Sequence, residues 1–215
     1  MCALNDAGAR LCGSHDFRNF CKMDVNNGVV NYTRSIESVR AVVISKEKDE
    51  DEGPYDMCEL TVKGKAFLWH QIRCIVSVLF RVGEGKEVPD VVDQLLDVEA
   101  NPSRPQYTMA SEVPLNLFAC EYPEGEAEWV HEPEAVAYVL RQFQAMWAEH
   151  QVKASMLRAA LSAMEGEWGQ AETNQVACLL PKSKAKTYTP LLEMLKCPSL
   201  EEKMAKRRKL KQETD

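Results

Sequence analysis

At 215 residues and 24.3 kDa the chain is long enough to bury a core of useful size, as one domain with or without an extension. Hydrophobic residues at 45% and charged residues at 27% are ordinary globular usage and exclude wholesale disorder. A net charge of −7 excludes a uniformly basic, nucleic-acid-coating protein, but ten Lys or Arg against three Glu between Lys182 and Lys211 leave room for a local basic face.

The opening segment Met1–Cys12 reads as a short helix that stops at Gly13. In Gly13-Ser14-His15-Asp16-Phe17-Arg18-Asn19-Phe20-Cys21, Ser14 or Asp16 suits the cap of a single helical turn, and Phe17 and Phe20 fall on one face. Asn26-Asn27-Gly28 is a turn signal. Residues 32 to 46 carry β-branched side chains in partial alternation and predict a strand. Lys46–Asp56 is an acidic, exposed connection, and residues 57 to 68 alternate again as a second, antiparallel strand.

From Trp69 the period changes. Ile72, Ile75, Val76, Leu79, Phe80 and Val82 predict a mostly buried helix closed by Gly83-Glu84-Gly85. A further helix is predicted over Pro89–Glu99, a loop over Asn101–Val113, and a third strand over Leu115–Tyr122. After Glu132 about thirty residues are helical, broken by the polar interval Gly166–Asn174. The tail from Pro181 is basic and polar, with one apolar island at Leu191–Leu195. The order predicts an α+β fold, an antiparallel sheet with helices on one face. Three strands make a thin sheet, so the expectation is a larger sheet completed by sequence outside this chain. The expected division is a catalytic-domain half over residues 1–122, a helical extension over 123–165 and a polar to basic, partly disordered tail over 166–215.

Motifs for dinucleotides, phosphate loops, zinc proteases and serine nucleophiles are absent. The eight cysteines form no CxxC pair and neighbour no histidine at metal-ligand spacing, so they read as small core residues and no metal site is expected. No apolar run approaches the ~18 residues of a membrane-spanning helix, and the first residues lack a signal-peptide core, so the expectation is an intracellular protein with no membrane partner.

Two segments carry more. Gly13-Ser14-His15-Asp16-Phe17-Arg18-Asn19-Phe20 is followed about fifty residues on by Phe67-Leu68-Trp69-His70-Gln71-Ile72-Arg73, then Leu79 and Val82-Gly83-Glu84-Gly85. In type, order and separation these resemble the TruA family of tRNA pseudouridine synthases. The elements Asp16–Val25, Asn101-Pro102 with Pro105-Gln106-Tyr107, and Lys186–Leu191 are most similar to its eukaryotic branch acting at positions 38/39 of the anticodon stem-loop. The resemblance covers residues 1 to 122 and resumes more loosely over 181 to 208. It implies the C-terminal half of a catalytic domain built from two α/β halves around an RNA-binding cleft.

The resemblance further implies isomerisation of uridine to pseudouridine with no cofactor. The base leaves its stack, is cleaved at the glycosidic bond, rotated and rejoined through C5. The family nucleophile is an aspartate in an Arg-Thr-Asp-x-Gly loop of the other half. No such loop occurs here; the single Thr-Asp pair, Thr214-Asp215, ends the tail. Arg73 is implied to be the arginine that keeps that carboxylate ionised and oriented. Phe67 and Leu68 are implied to line the uracil pocket.

Other assignments stay open. His70 faces RNA or caps the helix. His15, Asp16, Phe17 and Arg18 belong to a loop the family uses, with Asp16 also readable as a cap and Arg18 and Lys22 as phosphate contacts or plain surface charge. The run Lys203–Lys211 reads as tRNA-backbone contact, nuclear import signal or solvated helix end, leaving residence in nucleus or cytoplasm open. Expected partners are tRNA and either the other half or a second protomer. The alternative is a catalytically inactive RNA- or partner-binding module.

Overall fold

The computed structural model describes residues 1–45, 55–169, 179–180 and 187–212. Most of the acidic connection, the polar interval beyond Gly169, Cys178, Lys182 to Lys186 and the terminal Thr-Asp pair lie outside the described residues. Two compact units form: residues 1–115 with 174–215, and residues 116–173.

The first unit begins with α1 (Cys2–Arg10) and β1 (Gly13–Asp16), whose first residue, Gly13, turns the chain at φ +106°. A single 3-10 turn at Arg18–Phe20 follows, and Gly28 at φ +88° closes a second at Val25–Asn27. The long β2 (Thr33–Ser45) pairs antiparallel with both β1 and β3 (Met57–Gly64), giving the order β1-β2-β3. Gly13 lies opposite Ile36 in one ladder, and Val39 opposite Val62 in the other. Ile36, Val39 and Ala41 are the buried side chains of β2. The three-residue step from Ile36 to Val39 coincides with a register shift between Ile36 and Ser38, a β-bulge that explains why the alternation in the sequence is only partial.

Helices cover one face of this sheet. Ala7 and Leu11 of α1 are buried, and Gly8 lies so close to β2 that an added Cβ would sit 2.9 Å from Val39 Cγ1. The Asn5 side chain pairs with the backbone of Ala41, donating to its carbonyl (3.0 Å) and accepting from its N–H (2.8 Å). This blunts the stretch of β2 that β1 is too short to reach. Helix α2 (Gln71–Gly83) buries Cys74, Ile75, Val78, Leu79 and Val82, and the short α3 (Val91–Leu96) buries Val91, Val92 and Leu95. Helix α3 is shorter than its apolar pattern because Asp97 turns its carboxylate onto the N–H groups of Glu99 and Ala100.

The C-terminal segment belongs to the same core. Leu191, in a 3-10 turn over Leu191–Glu193, is fully buried, and Glu87 accepts hydrogen bonds from its N–H (2.7 Å) and from the Tyr188 hydroxyl (2.5 Å).

The second unit is described over residues 116–169. Its main element is a 36-residue helix, α4 (Pro133–Trp168), which runs through Gly166 and ends at Gly169. None of its side chains is buried. Leu115–Tyr122, predicted as a strand, forms none. Leu117 and Phe118 are exposed, and an alternating segment makes a ladder only beside a partner strand. The last helix, α5 (Leu200–Gln212), belongs to the first unit and packs its Leu200 into the core. Among the described residues no helix is long and apolar enough to cross a membrane.

Candidate active site

The two sequence motifs meet. The Lys22 N–H, just past the first motif, donates to the Trp69 carbonyl in the second at 3.1 Å. Phe17, Phe20 and Leu68 join the same core, and the two phenylalanine rings touch edge to face with centroids 6.1 Å apart. Asn19 anchors the junction from below: its buried side-chain amide N–H groups donate to the carbonyls of Leu95 (2.9 Å) and Asn101 (2.7 Å), while its backbone carbonyl accepts from the Tyr107 hydroxyl (2.6 Å).

Between β3 and α2 the chain turns sharply. His70 occupies the left-handed region (φ +61°), a conformation that costs a non-glycine residue energy and is held here by its surroundings. The Gln71 side chain reaches back to accept the Leu68 N–H at 2.7 Å, which closes the first turn of α2. Phe67 is 37% exposed, whereas Leu68 is largely packed into the core. The His70 ring lies against the Trp69 indole with centroids 4.6 Å apart. Its pKa is lowered, mainly by burial and then by the positive charges of Lys22, Arg73 and Arg104. Its Nδ1 is buried and has no hydrogen-bond partner among the described residues.

Arg73 stands in the first turn of α2 with its side chain partly open. Its Nε donates to the Ala110 carbonyl at 2.7 Å, and its Nη2 holds the carboxylate of the exposed Glu112 at 2.7 Å. Its backbone carbonyl accepts the Ala110 N–H, so the 110–112 segment is fastened to α2 at this residue. The guanidinium therefore has one edge fixed by the protein and another that binds carboxylate, the planar fork for which arginine is suited.

The residues of the first motif have local partners. Asp16 accepts the Arg18 backbone N–H (2.9 Å) and pairs with its guanidinium (2.7 Å); Arg18 also meets Glu201 at 3.4 Å. His15 Nε2 lies 2.8 Å from the Cys12 carbonyl, and its ring meets Phe17 edge-on. Phe17 has no exposed surface, so it presents nothing to a ligand in this structure and instead supports the motif from within the core. Thus Phe67, His70 and Arg73 lie at and just after the β3–α2 turn, while His15, Asp16 and Arg18 form a separate segment whose side chains already have protein partners.

Sequence reasoning passed over Trp69 and Arg104. Trp69 is 54% exposed with the Lys22 ammonium 5.7 Å from its ring centroid, and Arg104 is buried over the Tyr107 ring at 4.2 Å. An exposed tryptophan inside a motif and an arginine in a proline-rich loop were the available signals. Among the described residues no three His, Cys, Asp or Glu side chains gather as a metal site.

The profile of the tRNA pseudouridine synthase family matches residues 7–123, which contain both motifs and the Arg73 cluster. The chain is 37% identical to the tRNA pseudouridine(38/39) synthase of Homo sapiens and 36% identical to that of Bos taurus, in each case over 94% of this chain and 46% of the relative. It is 36% identical to the synthase of that name in Saccharomyces cerevisiae over 71% of this chain and 33% of the relative. The chain spans about half the length, or less, of these curated relatives. The paired motifs, the α+β fold and these matches agree: the chain belongs to the TruA family of tRNA pseudouridine synthases.

Proposed function

We propose that this chain supplies the arginine side of a site that isomerises uridine to pseudouridine in the tRNA anticodon stem-loop, at positions 38/39. The observation that carries the reading is Arg73, whose guanidinium is anchored on the Ala110 carbonyl while its Nη2 holds a carboxylate. The exposed Glu112 carboxylate, held by Nη2, stands where a catalytic aspartate from outside these 215 residues would bind. An arginine in that place keeps the carboxylate ionised in a drying pocket, where an unpaired charge is expensive.

The half-exposed Phe67 ring at the same turn offers an apolar wall for the extruded uracil. His70, with its pKa lowered, stays neutral at physiological pH and adds no charge to compete for the aspartate. The aspartate attacks or stabilises the cleaved sugar, the base turns, and the new carbon–carbon bond forms through C5, with the C5 proton released to solvent and one regained at N1. No atom is gained or lost overall.

A second reading is an RNA-binding module without catalysis. Carbodiimide mapping on unmodified tRNA separates the two levels. The chain alone should bind tRNA and produce no pseudouridine; joined to an aspartate-bearing half it should produce pseudouridine in the anticodon stem. Pseudouridine formed by the chain alone would contradict the division of labour. Failure of the joined protein to modify tRNA that it binds would favour the second reading.

A further inference from the structure

A shallow pocket of about 260 Å³ opens beside the junction of the two motifs, lined by Cys21, Lys22, Met23, Trp69, Arg104 and Lys203 together with Cys197. It is assembled from four separated stretches of the first unit: the residues just past the first motif, the β3–α2 turn, the loop that carries Arg104, and the C-terminal segment with the start of α5. Three of its residues are cationic, on a chain whose net charge is −7. Among the described residues none of the three is paired with a carboxylate. The Lys22 ammonium rests over the Trp69 indole instead, and Arg104 donates from Nη2 to the Tyr107 carbonyl at 2.9 Å.

Arg104 is the telling residue. It is only 7% exposed, its guanidinium carbon lies 4.2 Å from the Tyr107 ring centroid, and among the described residues its buried Nε has no hydrogen-bond partner. A buried cation with an unsatisfied donor is costly unless something anionic completes it. Trp69 provides the complementary feature, a large π-face that is 54% exposed and held in place by the backbone bond from Lys22 and by the His70 ring. Exposed aromatic surface interleaved with unpaired cations is the pattern by which proteins hold unstacked nucleotides. The pocket is smaller than the ~300–1,000 Å³ of a self-contained small-molecule site, which suits one nucleotide of a longer strand.

We propose that this pocket binds a single unstacked RNA nucleotide next to the one isomerised, with its base on Trp69 and its phosphate among Lys22, Arg104 and Lys203. The base displaces the Lys22 ammonium from the indole, and the ammonium turns to the phosphate. The inference rests on the reading that the chain acts on tRNA, and it adds a second contact point, four residues before Arg73 in sequence. It also gives the C-terminal segment a task, since Lys203 reaches the pocket only because Leu191 and Leu200 are docked in the core.

The test is fluorescence anisotropy of the full chain with a synthetic anticodon stem-loop RNA, comparing wild type with Trp69→Ala, Trp69→Phe, Lys22→Ala, Lys203→Ala and, as a control on the same helix outside the pocket, Lys206→Ala. Trp69→Ala should weaken binding about tenfold, and Trp69→Phe should recover most of the loss. Lys22→Ala and Lys203→Ala should each lower the slope of log affinity against log salt by about 0.7. Lys206→Ala should do neither. One abasic substitution in the loop should mimic Trp69→Ala and add nothing to it.

Undiminished binding by Trp69→Ala, or equal effects of Lys206→Ala and Lys203→Ala, would overturn the pocket while leaving the tRNA reading intact. Wild-type chain that binds the RNA no better than a DNA hairpin would overturn both. Uridine monophosphate that displaces the RNA from wild type but not from Trp69→Ala would reassign the pocket to a free nucleotide.

Discussion

The Lys22 N–H donates to the Trp69 carbonyl at 3.1 Å, and that bond joins two motifs almost fifty residues apart in sequence. Everything assigned to the site follows from the junction. On one side Trp69 is turned outward beside Lys22; on the other the backbone passes through a left-handed His70 and delivers Arg73 into the first turn of α2.

Asn19 holds this junction to the helices beneath it. Asn19→Ala removes two buried donors and leaves the carbonyls of Leu95 and Asn101 without their partner, at a cost of about 2–3 kcal/mol. Urea denaturation should show the midpoint falling with an unchanged slope. An unaltered midpoint would mean that water replaces the amide at no cost.

Gly64 permits the close approach of β3 to β2 at the end of the ladder. A Cβ there would lie 2.8 Å from the Ser35 carbonyl oxygen and 3.3 Å from the Phe67 ring. Gly64→Ala should therefore cost about 1–3 kcal/mol and shift Phe67. Its mark would be a loss of pseudouridine formation, in the joined enzyme, larger than the loss of tRNA binding. Unchanged stability and unchanged activity would show that the strand end gives way freely.

Burial pushes the Cys21 thiol up to about 12, and it pushes the neighbouring Cys74 in the same direction. In the unfolded chain both return to about 8.5. The folded state thus binds these protons more tightly, so the stabilisation is fully present below about pH 8.5 and is lost as pH rises from there through about 12. Stability should be level through neutral pH and fall above it, and Cys21→Ala should flatten the fall. Under native conditions at pH 8 a thiol reagent should label the exposed Cys2, Cys58 and Cys120 and leave Cys21 and Cys74 unmodified until denaturant is added. Labelling of Cys21 at the rate of Cys58 would contradict this.

The elements that the sequence revealed are those whose side chains meet the core with a regular period. Strand β3 and α2 are of this kind, β2 is so except at its bulge, and so is the Phe17–Phe20 pair, both rings of which are buried. What it concealed depends on partners distant in the chain. Gly13–Asp16 pairs with β2 as a strand although its residues favour turns, and Leu115–Tyr122 alternates like a strand yet has no neighbour to pair with among the described residues. Leu191 and Leu200 lie in a polar, basic stretch and still complete the core. The family resemblance singles out Arg73 but not its contacts with Ala110 and Glu112, because those residues sit in a loop that carries no periodic signal. The Trp69 pocket was illegible for a related reason: four stretches of chain must fold together before its indole and cations share one surface.

The most direct measurement is pseudouridine formation by Arg73→Ala and Arg73→Lys in a polypeptide that joins this chain to an aspartate-bearing half, with tRNA binding and thermal melting followed in parallel. Arg73→Ala should lower the rate at least ~100-fold while binding and melting change little. Arg73→Lys should not restore it, because a lysine cannot hold the Ala110 carbonyl and a carboxylate with one planar group. Modification by Arg73→Ala within twofold of wild type would contradict the account.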